Sequence, residues 1–103
     1  ILCKEFTEVS TFAIAGFDDS VKSLFAKDYS LADDVIERKR KTESMESKMT
    51  ADILASNLDT ETTSSLRLIS DSIRRTMEYG SDIAEVVLNL TILDQQQEPH
   101  NRA

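Results

Sequence analysis

The sequence predicts an all-α protein: an antiparallel three-helix bundle of long helices joined by short turns. Three observations predict it. Gly is 2 and Pro is 1 in 103 residues, so little interrupts helix in a chain that is 40% apolar and 30% charged. Apolar residues recur at alternating threes and fours in three separate stretches, the spacing of one helical face. Two short breaks, Lys27-Asp28-Tyr29-Ser30 and Asn57-Leu58-Asp59-Thr60, divide those stretches. Connections this short make neighbouring helices antiparallel.

The first helix is expected from Leu2 to Ala26, with Leu2, Phe6, Val9, Ala13, Phe17, Leu24 and Phe25 as its apolar side. Gly16 interrupts that pattern at a cost of ~1 kcal/mol against Ala, which a close approach of another helix would offset. Ser30 then reads as an N-cap with Asp33 at the capping-box position. The second helix is expected from Leu31 to Asn57, burying Leu31, Val35, Thr42, Met45, Met49 and Ile53, with Leu54 at the edge. Asp59 or Thr60 caps the third helix, with Glu61 complementing its dipole. That helix carries Leu66, Ile69, Ile73, Thr76, Gly80, Ile83, Val87 and Leu90 as its core stripe and is expected to end near Leu93. The bundle therefore occupies 1–94, followed by a disordered polar tail over 95–103 that holds the only Pro and His.

Charge and cysteine usage exclude several function classes. A net charge of −7 disfavours direct binding of nucleic acid or anionic lipid through the whole surface. A single Cys, Cys3, allows no internal disulfide or multi-cysteine metal site and is compatible with a reducing cytoplasm. No run approaches the ~18 apolar residues of a membrane span. The chain opens at Ile1 rather than Met, so it is expected to be a piece of a longer protein.

Chemically suggestive residues each have two readings. Asp71, Arg75, Glu78, Asp82, Glu85 and Asn89 line the side of the third helix opposite its apolar stripe. Glu78 and Asp82 stand one turn apart. Such carboxylates could ligate a hard cation, or they could be solvated surface with Arg74 and Arg75 as ion-pair partners. Arg38-Lys39-Arg40-Lys41 could grip a phosphate or an acidic partner, or be solvated helix surface. Cys3 lacks a base, His100 lacks a second ligand, and no Glu-x-x-His pair of a ferritin-like di-iron site is present. No catalytic constellation is recognisable, and no enzymatic activity is expected.

Two segments carry a family resemblance. Ala32-Asp33-Asp34-Val35-Ile36-Glu37-Arg38 resembles the Ala-x-x-Val-Ile-Glu-Arg run of PhoU domains, the three-helix units of phosphate-uptake regulators. Arg74-x-x-x-Glu78-x-x-x-Asp82-x-Ala84 resembles the stretch of that family that usually reads Leu-Glu-Arg-Ile-Gly-Asp-x-Ala. The wording of the third helix looks most like archaeal members, in which the domain often follows an AbrB-like DNA-binding domain. The resemblance implies a three-helix unit that acts in phosphate uptake or phosphate-responsive signalling, through contacts with a phosphate transporter or signalling protein. It also implies metal binding through paired acid-x-x-x-acid motifs. Glu78 and Asp82 match the second pair; at the first, Lys39 stands where an Asp is usual and Glu43 keeps the acid four residues on. No cofactor follows with certainty: the resemblance leaves a divalent, iron or zinc ion at Glu43, Glu78 and Asp82 as the candidate, with affinity expected to fall strongly beside the Lys39 ammonium.

Family units pair with one another, so a homodimer is expected, with Leu68, Val86 and Leu88 off the main stripe as its interface. Two other functions stay open on the sequence: a structural dimerisation module of a DNA-binding transcription regulator, and a carboxylate metal-binding protein with hydrolytic activity.

Overall fold

The computed structural model describes residues 2–102, with the side chains of Thr91 and of residues from 94 onward left aside. Three α-helices account for it: α1 Leu2–Ala26, α2 Tyr29–Ala55 and α3 Thr60–Arg102. Helices α1 and α3 run parallel, with α2 antiparallel to both, in a bundle 68 × 18 × 17 Å. The long axis is that of α3, whose 43 residues span about 65 Å at 1.5 Å each.

Both turns use the same device. Lys27 (φ 52°) and Asn57 (φ 55°) take the left-handed conformation just past the ends of α1 and α2. After α1, the Asp28 N–H donates to the Ser23 carbonyl at 3.0 Å, closing a Schellman-type stop. Asp28 then caps α2 by accepting from the Leu31 N–H at 3.0 Å. The cap is thus Asp28 rather than Ser30, and α2 starts and ends about a half-turn earlier than the sequence pattern suggests. An Asp caps as well as a Ser, and the immediate stop leaves it the first position able to do so. Asp59 caps α3 as expected, accepting from the Thr62 N–H at 2.6 Å.

The end of α3 needs correction. It runs through the expected polar tail to Arg102 rather than stopping near Leu93. Gln95, Gln96, Gln97 and Glu98 are competent helix formers, and no Gly stops the helix after Gly80.

The core is lined by smaller residues than the sequence pattern implies. In α1 the buried line is Val9, Ala13, Gly16, Ser20 and Ser23. Phe17 and Leu24 lie at the margin, and Phe25 is 83% exposed. In α3 the buried line is Ser70, Ile73, Met77, Gly80, Ser81, Ala84 and Val87, which leaves Ile69 and Leu90 at the surface. Leu54 of α2 is also exposed, while Val35, Thr42, Met49 and Ile53 are buried as expected. Three of the buried hydroxyls are satisfied within their own helices: Ser20 donates to the Phe17 carbonyl at 2.6 Å, Ser23 to the Ser20 carbonyl at 2.7 Å and Thr42 to the Arg38 carbonyl at 3.0 Å.

Close contact between α1 and α3 explains the rotation. A Cβ on Gly80 would lie 3.1 Å from the Phe17 Cα, 3.3 Å from its backbone N and 3.5 Å from the Gly16 carbonyl oxygen. A Cβ on Gly16 would meet only the end of the Met77 side chain, at 2.8 Å from Sδ. Gly80 therefore faces backbone and Gly16 faces a flexible thioether.

Gly80→Ala should destabilise the bundle by about 1–3 kcal/mol, read as a fall of several degrees in Tm. Gly16→Ala should be near neutral, because the helix-propensity gain of ~1 kcal/mol offsets moving Met77. Equal losses for the two variants would contradict the asymmetry. The Asp59 cap gives a pH signature as well. The hydrogen bonds from Thr62 hold its carboxyl below the ordinary value. The cap's contribution is therefore present above the ordinary carboxylate pKa and is lost as pH falls through the depressed one. In thermal scans, Asp59→Ala should lower Tm at pH 7, and the gap should close under strongly acid conditions.

Candidate functional site

Charge divides the bundle into unlike sides. Arg38 of α2 binds Asp34 on its own helix through Nε at 2.9 Å and Nη2 at 2.6 Å, and reaches Asp19 of α1 through Nη1 at 2.8 Å. Desolvation lowers the pKa of this guanidinium, and the two carboxylates more than reverse it. Lys41 places its ammonium 5.1 Å from the centre of the Phe12 ring. Two of the four residues in the basic run are thus committed to holding α2 against α1.

Between α2 and α3, the Glu46 carboxylate accepts from Ser70 at 3.1 Å and from Thr50 at 3.5 Å. The acidic row of α3 is laced with its own arginines. Arg74 pairs with Asp71 and stands 3.6 Å from Glu78; Arg75 stands 3.6 Å from Asp71. The Arg74 Nε is buried without a hydrogen bond, so its contact with Glu78 is charge attraction alone.

The Glu46–Ser70 contact sets the level of every residue across this pair. Since α2 and α3 are antiparallel, Glu43 lies level with residue 73 of α3, and Asp82 stands roughly 13 Å farther along at 1.5 Å per residue. Glu43 and Asp82 are both exposed and Glu78 half-buried beside Arg74. The three do not come together. No group of three or more His, Cys, Asp or Glu placed to hold a metal occurs among the described residues. By the same count, Lys39 is level with residue 77, one residue's rise from the level of Glu78.

A pair of carboxyls missed by the sequence reading lies near the opposite end, where α1 begins and α2 finishes. A hydrogen bond with Asp52 holds the Glu5 carboxyl above its ordinary range, with desolvation and like charge adding to it. Antiparallel pairing of α1 and α2 brings these residues together, which no local spacing could indicate. Cys3 is exposed and free, and the side chain of His100 lies outside the described residues.

The α1/α3 side is apolar. Ile14, Phe17, Val21 and Leu24 of α1 run beside Ile69, Thr76, Ile83 and Leu90 of α3. The helices touch at Gly16 and Gly80, leaving a groove on each side of that crossing. One, of about 200 Å³, is lined by Ser10, Ala13, Ile14, Ile69, Ser72, Ile73 and Thr76. The other, of about 120 Å³, is lined by Leu24, Lys27, Tyr29, Val87 and Leu90. Of the expected interface residues, Leu68 is 68% exposed and Val86 51%. Leu88 is partly buried against the core, so it is placed to hold the bundle rather than to join the other two.

The PhoU domain family matches this chain over residues 6–87. The chain belongs to the PhoU domain family. That span takes in all of α2, most of α1 and α3 as far as Val87. No curated protein and no solved structure matches the chain. Within this PhoU domain, Lys39 stands where the resemblance implies a carboxylate, and Arg74 lies 3.6 Å from Glu78.

Metal titration checks the consequence directly. Saturation to 100 times Kd adds ~2.7 kcal/mol to stability, a shift of several degrees in Tm for a domain this size. No such shift is expected with micromolar Fe, Mn, Zn or Ni. Lys39→Asp should increase the response. A large shift in the unaltered chain that Asp82→Asn abolishes would contradict this account of the acidic row.

Proposed function

We propose that this PhoU domain is a non-enzymatic regulator of phosphate uptake or phosphate-responsive signalling. It acts in the cytoplasm through protein–protein contacts, with a phosphate transporter or signalling protein as partner and a second copy of itself as the closest neighbour. The family match over residues 6–87 carries this reading. The arrangement of the surface supports it: Arg38 and Asp34 of α2 and Arg74 and Asp71 of α3 are taken up in ion pairs, while the α1/α3 side presents apolar residues to solvent. An exposed apolar face of this kind suits a contact with another protein. No helix among the described residues is long and apolar enough to cross a membrane, so contact with a transporter would be made from outside the bilayer.

The same apolar face supports a second reading, in which the domain pairs copies of a DNA-binding transcription regulator and phosphate plays no part. Cells lacking the gene, complemented with the wild-type chain or with Val86→Glu, separate the two. The regulator reading expects altered phosphate uptake or phosphate-responsive transcription in the deletion, restored by the wild type and less well by the variant. Unchanged uptake and unchanged phosphate response in the deletion would overturn it, and transcriptional changes unrelated to phosphate would favour the second reading.

A further inference from the structure

Helix α3 carries two seams. The first is the buried line from Ser70 to Val87 already described. The second is a heptad row: Ile69, Thr76, Ile83 and Leu90 at one position and Ser72, Tyr79, Val86 and Leu93 three residues on. Alternating steps of three and four are the pattern of a helix-to-helix seam. This row is not consumed by the bundle. Ile69, Tyr79, Val86, Leu90 and Leu93 are all exposed, and Thr76 and Ile83 half-buried. We infer that a second copy of the chain packs its own α3 along this row in the antiparallel direction, with Arg75 of each copy facing Asp82 of the other. The inference rests on the reading of this PhoU domain as self-associating and specifies how it does so.

Two observations select the antiparallel direction. One is the position of α1. It packs on the side of the seam formed by Ile73, Gly80 and Val87, while Arg75 and Asp82 line the other side. Antiparallel pairing sets like side against like side. It therefore brings the two α1 helices together, burying the exposed Ile14 and Phe17 against their counterparts. Parallel pairing would set the apolar row of α1 against the partner copy's charged row.

The other observation is charge. Pairing Ile69 with Val86 of the second copy, and Thr76 with Tyr79, places Arg75 opposite Asp82 twice by symmetry. Shifting the antiparallel register by one heptad would instead oppose Asp82 to its own counterpart. Asp82 enters none of the ion pairs among the described residues, and Arg75 is held loosely, donating to Ser72 at 3.3 Å and standing 3.6 Å from Asp71. Complementary charge at the rim fixes register and discriminates against the alternatives.

Sedimentation and cysteine cross-linking in a Cys3→Ser background test this. Sedimentation at ~100 micromolar, a concentration at which complexes with Kd at or below that level are populated, should show a dimer. A monomer would overturn both the self-association reading and this inference. Mixing Ile69→Cys with Val86→Cys should give the mixed cross-linked dimer, because each residue is otherwise about 25 Å from its own counterpart along the seam. Cross-linking of either variant only with itself would mark a parallel seam, and cross-linking of Ile69→Cys with Leu93→Cys the shifted register. A dimer that cross-links in none of these mixtures would show that α3 is not the seam. Each of these three outcomes overturns the inference and leaves self-association standing. Arg75→Glu and Asp82→Arg should each weaken the dimer about tenfold, with the double variant restoring it.

Discussion

The crossing of α1 over α3 at Gly16 and Gly80 governs the rest of the structure. Placing one helix backbone about 3 Å from where a neighbour's Cβ would sit leaves room only for small side chains along the contact. The line on α1 accordingly reads Ala13, Gly16, Ser20, Ser23. Dispersion contacts and close packing stabilise such an interface, since little apolar surface is available per residue. The larger apolar residues of both helices are displaced to its margin. Phe17 and Leu24 on one side and Ile69 and Leu90 on the other are exposed because the helices approach so closely.

That displacement sets the division of labour across the surface. Helix α2 sits on the far side, tied by Arg38 to α1 and by Glu46 to α3. Lys41 adds a third tie, over the Phe12 ring of α1. On the acidic row, the Arg74 Nε is buried beside Glu78. A protein assembled in this way has a rigid apolar surface of defined register, which suits recognition of another helix.

Helix count, order and α1 boundaries were legible because periodicity and breakers report on the local chain. Gly16 was legible too: a glycine inside a helical pattern implies a close neighbour, and Met77 of α3 is that neighbour. The rotation of the core line was not. Phe17 and Leu24 look like core by hydrophobicity, and only the inter-helix distance at Gly80 puts Ser20 and Ser23 inside in their place. For the acidic residues, spacing placed Glu78 and Asp82 on one helix. The levels of Glu43 and Lys39 against α3 depend on the register of two helices, fixed by Glu46 and Ser70. The Glu5–Asp52 pair has the same origin. In each case the missing information was tertiary register, which a single sequence encodes only through packing.

The central claim is that the working surface of this PhoU domain is its α1/α3 side. A dilution series followed by NMR of labelled Ile, Leu and Val methyl groups tests it most directly. The account predicts concentration-dependent shifts at Ile14, Ile69 and Val86, with Ile36 and Ile53 of α2 unmoved. Shifts confined to α2 methyls, or none at any concentration, would contradict it.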